Sequence, residues 1–211
     1  MPGPKKPSTK HASTEINDLM RRVSNDPDAI PSMLAALNEK GLARFKAARD
    51  LQLISRANPA ALYPYFQVFV NLLDSSSSVL LWNAIIILSH LVEVDTERRF
   101  DPVFNRYFAH LWDGKLVTAA NILENSGRIA RNRPDMAEMI TQELLNVDRI
   151  PLPTPECREV ARGKVLTAFA EYLDILKGNR AANDLIIRCA DSRRQSVKKQ
   201  AEALIRKIHQ D

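Results

Sequence analysis

With 211 residues, 45% of them hydrophobic and 26% charged, the chain can bury a sizeable core and is too apolar for a disordered polymer. Its 30 basic against 25 acidic residues give a net charge of +5, a mild excess that suits an acidic partner without defining one. The longest apolar run, Val79 to Ile87, is interrupted by Asn83 and falls short of the roughly 20 residues that span a bilayer, so no membrane partner is expected.

Residues 1–13 are rich in Pro, Lys, Ser and Thr and predict a disordered basic tail. No apolar stretch follows their lysines, which argues against a secretory signal. Cys157 and Cys189 are too few and too unpatterned for a disulfide framework and fit a reducing cytoplasm. Residues 14–211 read as one domain. It begins with a short amphipathic helix over 15–23, carrying Ile16, Leu19, Met20 and Val23, that caps the first repeat.

Five helix pairs come next: 27–40 with 42–57, 59–73 with 78–92, 96–112 with 115–132, 135–147 with 156–176, and 180–190 with 193–209. Asp26-Pro27, Asn58-Pro59 and Thr154-Pro155 each set a capping side chain before a proline at the first helical position, where the missing N–H costs nothing. Asp135 with Glu138 has the spacing of a capping box. Arg149 to Pro155, with three prolines, predicts an extended loop inside the fourth pair. Small residues Ala48, Ala84, Ala120, Ala161 and Ala201 anchor the second helices at intervals of 36, 36, 41 and 40 residues. A period near 40 in an all-helical chain predicts an all-α solenoid of about five stacked two-helix repeats.

The first helices carry a proline in their early turns (Ile30-Pro31, Tyr63-Pro64, Asp101-Pro102), apolar residues every three or four positions, and an aspartate at the turn (Asp74, Asp113). On these residues, residues 27–209 resemble HEAT repeats of the armadillo-like α-solenoid group. The resemblance implies that the second helices line a concave face and that the protein is a non-enzymatic scaffold, with a nucleic-acid-binding solenoid as the alternative. Some HEAT-like solenoids are DNA glycosylases in which aromatic residues and an aspartate line that face. Here Trp112 and Asp113 adjoin at a helix end, and Asp113 falls where the repeat puts its turn aspartate, as Asp74 does.

The chain contains no GxxxxGK[ST], GxGxxG, HExxH or GxSxG. Its four histidines stand far apart with no carboxylate or cysteine at ligand spacing, so neither a metal nor another cofactor is expected. Cys157, in a first helical turn, reads as a small half-buried residue rather than a nucleophile.

The second-helix segments total +9 and the first-helix segments −6, with +2 from residues 1–26. That split favours an acidic partner. With the anchor alanines facing the core, fifteen positions point outward, and only Lys46, Lys199 and Arg206 among them are basic. A nucleic-acid groove would run basic from end to end, so the mixed stripe suits protein better. The uncharged helix 78–92 places Trp82 and Ile86 opposite Ala84. Either these two form a groove for a partner or helices 42–57 and 115–132 cover them. The outward stripe makes Trp82, Ile86, Ile122, Lys199 and Arg206 the candidate partner-binding residues. The basic last helix is read as a soluble cap or as a dock for an acidic segment.

Overall fold

Every regular element of the described chain is helical, as an apolar period of 3.6 residues requires. The computed structural model describes residues 9–210, with side chains from Thr14 onward. Most of the expected disordered tail therefore lies outside the described residues, but the chain is already helical at Thr9. The first helix, α1 (Thr9–Asn25), is 17 residues long rather than a short cap. It packs beside α3 (Leu42–Ala57). The Arg49 guanidinium donates to Glu15 on α1 at 2.6 Å, across a sequence separation close to the repeat period. α1 thus forms the first rung of the second-helix layer.

The five expected pairs are present, but the first helices of repeats one and three are shorter than the expected 27–40 and 96–112, beginning at Ala29 and, after turns over 95–100, at Asp101. α2 (Ala29–Ala36) pairs with α3. α4 (Pro59–Leu62) and α5 (Phe66–Leu72) pair with α6 (Ser78–Leu91). α7 (Phe104–Ala109) leads into α8 (Leu116–Asn132), and α9 (Ala137–Leu145) precedes α10 (Pro155–Glu171). A short α11 (Leu173–Leu176) leads to α12 (Arg180–Cys189) and α13 (Gln195–Ile208).

Pro64 and Pro102 each lie in a 3-10 turn, Tyr63–Tyr65 and Asp101–Val103, because the ring removes one helical hydrogen bond. Repeat four, which has no proline at that place in its sequence pattern, opens instead on the 3-10 turn Pro134–Met136. The capping box expected at Asp135 and Glu138 does not form. Arg133 donates to both Asp135 oxygens at 2.8 and 2.9 Å, and Arg98 binds the same carboxylate, so the side chain is drawn away from the helix end. The helix expected to run to residue 176 stops at Glu171. Tyr172 leaves helical geometry (φ −134°) and carries its ring into the core, where the hydroxyl meets that of Thr141 at 3.0 Å. Asn179, unmarked in the sequence, caps α12 by accepting from the Ala182 N–H at 3.0 Å.

The second helices stack in the order α3, α6, α8, α10 and α13. Leu51, Ile54, Ile85, Leu88, Leu123 and Val165 fill the space beneath them, each fully buried and each contributing about 1.5–3 kcal/mol relative to exposure. α8 and α10 pack tightly at Gly127, where a Cβ would stand 2.5 Å from the Ala168 carbonyl oxygen. Polar rungs repeat along the layer: Ser55 to His90 at 2.8 Å, Ser89 to Asn125 at 3.2 Å, Lys164 to Glu124 at 2.7 Å and Gln200 to Thr167 at 3.2 Å. The first-helix side is tied in the same way by Tyr63 donating to Asp95 at 2.6 Å and Arg133 donating to Asp101 at 2.7 Å.

Candidate binding face

A solvent-reaching stripe on each second helix survives once its neighbours are in place, exposed on α3 and half-buried along α6, most of α8 and α10. On α3 it runs through Phe45, Arg49 and Arg56, and Leu42 stands clear at the helix start. On α6 it runs through Val79, Trp82 and Ile86, and on α8 through Val117, Asn121, Glu124 and Arg128. Leu42 is 84% exposed, Phe45 50% and Val117 49%, which puts apolar surface at the starts of α3 and α8, although Ile187 and Met139 of the first-helix layer are exposed as well. Lys164 and Thr167 continue the stripe on α10, and Lys199, Ala203 and Arg206 on α13.

The sequence-predicted residues divide. Trp82 and Ile86 sit one turn apart on α6, both half-buried, so the two alternatives for them are each partly realised. The Trp82 ring packs on the core while its indole N–H donates to Thr118 on α8 at 3.0 Å. Ile122 is a correction: it is fully buried (0% exposed) and cannot meet a partner. The anchor alanine of α8 is Ala119, wholly buried, and not Ala120, which is half-exposed. One residue turns a helix by about 100°, enough to carry Ile122 from the outside to the core. Ser89 and Thr118, two of the fifteen outward positions set by the anchors Ala84 and Ala120, are buried because the flanking helices cover them. Lys199 and Arg206 are exposed, but α8 and α10 separate them from Trp82 and Ile86.

Much of the basic charge of this layer is paired. Lys46 meets Asp50 at 2.5 Å, Arg162 meets Asp148 at 2.8 Å, Arg131 meets Glu171 at 3.7 Å, and Arg194 binds Glu156. Arg56 and Arg128 make no ion pair among the described residues, and the Arg128 Nε is buried with no hydrogen-bond partner. Between them lies His90, 5% exposed, with Nδ1 2.8 Å from the Ser55 hydroxyl. Burial, then the charges of Arg128 and Arg56, push its pKa down to about 4. The sequence carries a faint signal of this cluster, since Arg56, His90 and Arg128 are spaced by 34 and 38 residues, close to the repeat period.

Trp112 and Asp113 do not join the face. The Asp113 carboxylate lies 2.8 Å from His110 Nδ1 and closes the turn between α7 and α8. Among the described residues no three potential metal ligands converge.

No protein-family model matches the chain, and no curated protein matches it. Among solved structures the chain is similar to a designed armadillo repeat protein, with a TM-score of 0.57 over 97% of this chain and 96% of that one, at 13% sequence identity. An identity this low carries the architecture and not the ligand, and with the paired helices above it establishes the fold as an armadillo/HEAT-like α-solenoid.

Proposed function

We propose that the protein is a non-enzymatic scaffold that holds another protein against the exposed face of its second-helix layer, the concave face in stacking of this kind. The observation that carries this reading is the apolar surface of Leu42, Phe45 and Val117 beside half-buried Trp82 and Ile86. Apolar side chains that reach solvent on adjacent helices of one layer suit a contact site, and a partly buried Trp among them is a favoured anchor. The basic residues of the same face suit an acidic segment of the partner, with Lys199 and Arg206 extending it toward the last helix. The nucleic-acid alternative is weakened by the carboxylates that neutralise several of those charges. Among the described residues no helix is long and apolar enough to cross a membrane. Separately, the free Cys157 and Cys189 support a cytoplasmic location.

The test is affinity capture from native lysate, with and without nuclease, on three proteins. Wild type and Met139→Glu, which alters an exposed residue of the first-helix layer, should retain the same nuclease-resistant partner. The double variant Phe45→Glu, Val117→Glu should lose it by about tenfold or more with unchanged helical circular dichroism. Capture that disappears with nuclease would transfer the protein to the nucleic-acid class.

A further inference from the structure

We propose that Arg56 and Arg128 bracket the end of α6 as a carboxylate clasp for an acidic, extended segment of the protein partner, with Ile86 and Trp82 receiving the apolar side chain beside it. The inference rests on the scaffold reading and gives its partner a chemistry. Three observations place the clasp. Arg56 directly follows Ser55, whose hydroxyl contacts His90, so its guanidinium emerges level with the end of α6. Arg128 lies one turn beyond Asn125, which accepts from Ser89, so it emerges at the same level from the other flank. Neither arginine has a carboxylate partner among the described residues, and the exposed Glu93 at the end of α6 pairs with neither.

Arg56 is exposed and Arg128 half-buried, so each guanidinium still has donors that a partner's carboxylate can reach, and no carboxylate of the described chain occupies them; the Arg128 Nε itself is buried without an acceptor. Arg56, exposed and without an ion pair among the described residues, adds a second positive charge beside Arg128, and both charges act on His90, whose pKa burial lowers first and the two arginines lower further. Being neutral near pH 7, His90 neither adds charge nor competes for the carboxylate. Apolar residues next to the clasp favour a polypeptide over a phosphate backbone. Ile86 and Trp82 precede His90 by one and two helical turns, about 6 and 12 Å. An extended peptide covers those distances in roughly two to four residues at about 3.3 Å each.

The experiment uses the full chain and short fluorescent peptides that carry one Leu or Phe with a Glu two, three or four residues away, each matched by a Gln counterpart. At least one Glu peptide should bind about tenfold tighter than its Gln twin at moderate salt. Its binding should raise the His90 pKa measured by NMR. Arg56→Gln with Arg128→Gln should erase the preference for Glu while circular dichroism stays unchanged, and each single variant should erase part of it. A preference that survives the double variant, or its absence throughout the panel, overturns the clasp. In either case the scaffold reading is judged separately by capture with the Phe45→Glu, Val117→Glu variant. A short oligothymidylate that outcompetes the best Glu peptide, and does so through the same two arginines, overturns the polypeptide occupant.

Discussion

Trp82 on α6 donates its indole N–H to the Thr118 hydroxyl on α8 at 3.0 Å, one repeat period away in sequence. The contact reconciles two roles in one side chain. The polar edge of the ring locks adjacent repeats together, and the remainder is only half covered. Thr118 is fully buried, so removing its donor strands a hydroxyl in the core. We expect Trp82→Phe to cost about 1 kcal/mol beyond the loss of contact area, measured by urea denaturation. The Trp82→Phe, Thr118→Val pair should cost less than the sum of the singles, because both ends of the bond are then apolar. Additive costs would show that the hydrogen bond contributes nothing.

Gly127 is the place where α8 and α10 depend on a missing side chain. A Cβ there meets backbone atoms of Ala168, the oxygen at 2.5 Å and Cα at 2.7 Å, and backbone cannot swing aside as a side chain does. Gly127→Ala should therefore destabilise by about 2–3 kcal/mol, against the roughly 1 kcal/mol that alanine gains in helix propensity. Gly178→Ala, where a Cβ meets nothing within 4 Å, should stay within about 0.5 kcal/mol of wild type. Equal thermal midpoints for the two variants would place the tight approach elsewhere.

His90 gives the fold a pH limb. Its folded pKa, pushed down to about 4, lies below the ordinary 6.5, so the unfolded chain binds the extra proton first as pH falls. The stability that His90 contributes is complete above pH 6.5 and is lost progressively between 6.5 and about 4. The size is on the order of 3 kcal/mol. His90→Gln should flatten denaturation curves through that window and leave them nearly parallel to wild type at lower pH. There Asp135 takes over. Arg133 foremost, by hydrogen bond and then by charge, with Arg98 adding its own charge, holds its carboxyl at about 2, so its contribution persists until the pH drops below the ordinary 3.8. An unchanged slope between pH 6.5 and 4 in the variant would show that His90 is not buried neutral.

The architecture was written in the chain itself. A helical apolar period, prolines near helix starts, and small residues recurring at intervals of 36 to 41 positions determine which segments are helices and which pair, because these are local chemistry. Of the expected capping side chains, by contrast, only Thr154 caps its helix, by accepting from the Cys157 N–H. Rotation about each helix axis was not determined to better than one residue, and in α8 that difference moved the anchor from Ala120 to Ala119 and took Ile122 into the core. Coverage by neighbours was not determined either. Ser89 and Thr118 look outward on an isolated helix and are sealed only when Asn125 and Trp82 arrive from the adjoining repeat. The same holds for the clasp. Arg56, His90 and Arg128 belong to three different repeats, and only stacking at a fixed axial level turns three scattered cationic or titratable residues into one patch. Pairing is encoded along the chain, where each residue's neighbours are known. The working surface is decided by side chains from separate repeats, whose meeting depends on the rotation and level of helices that sequence spacing leaves free.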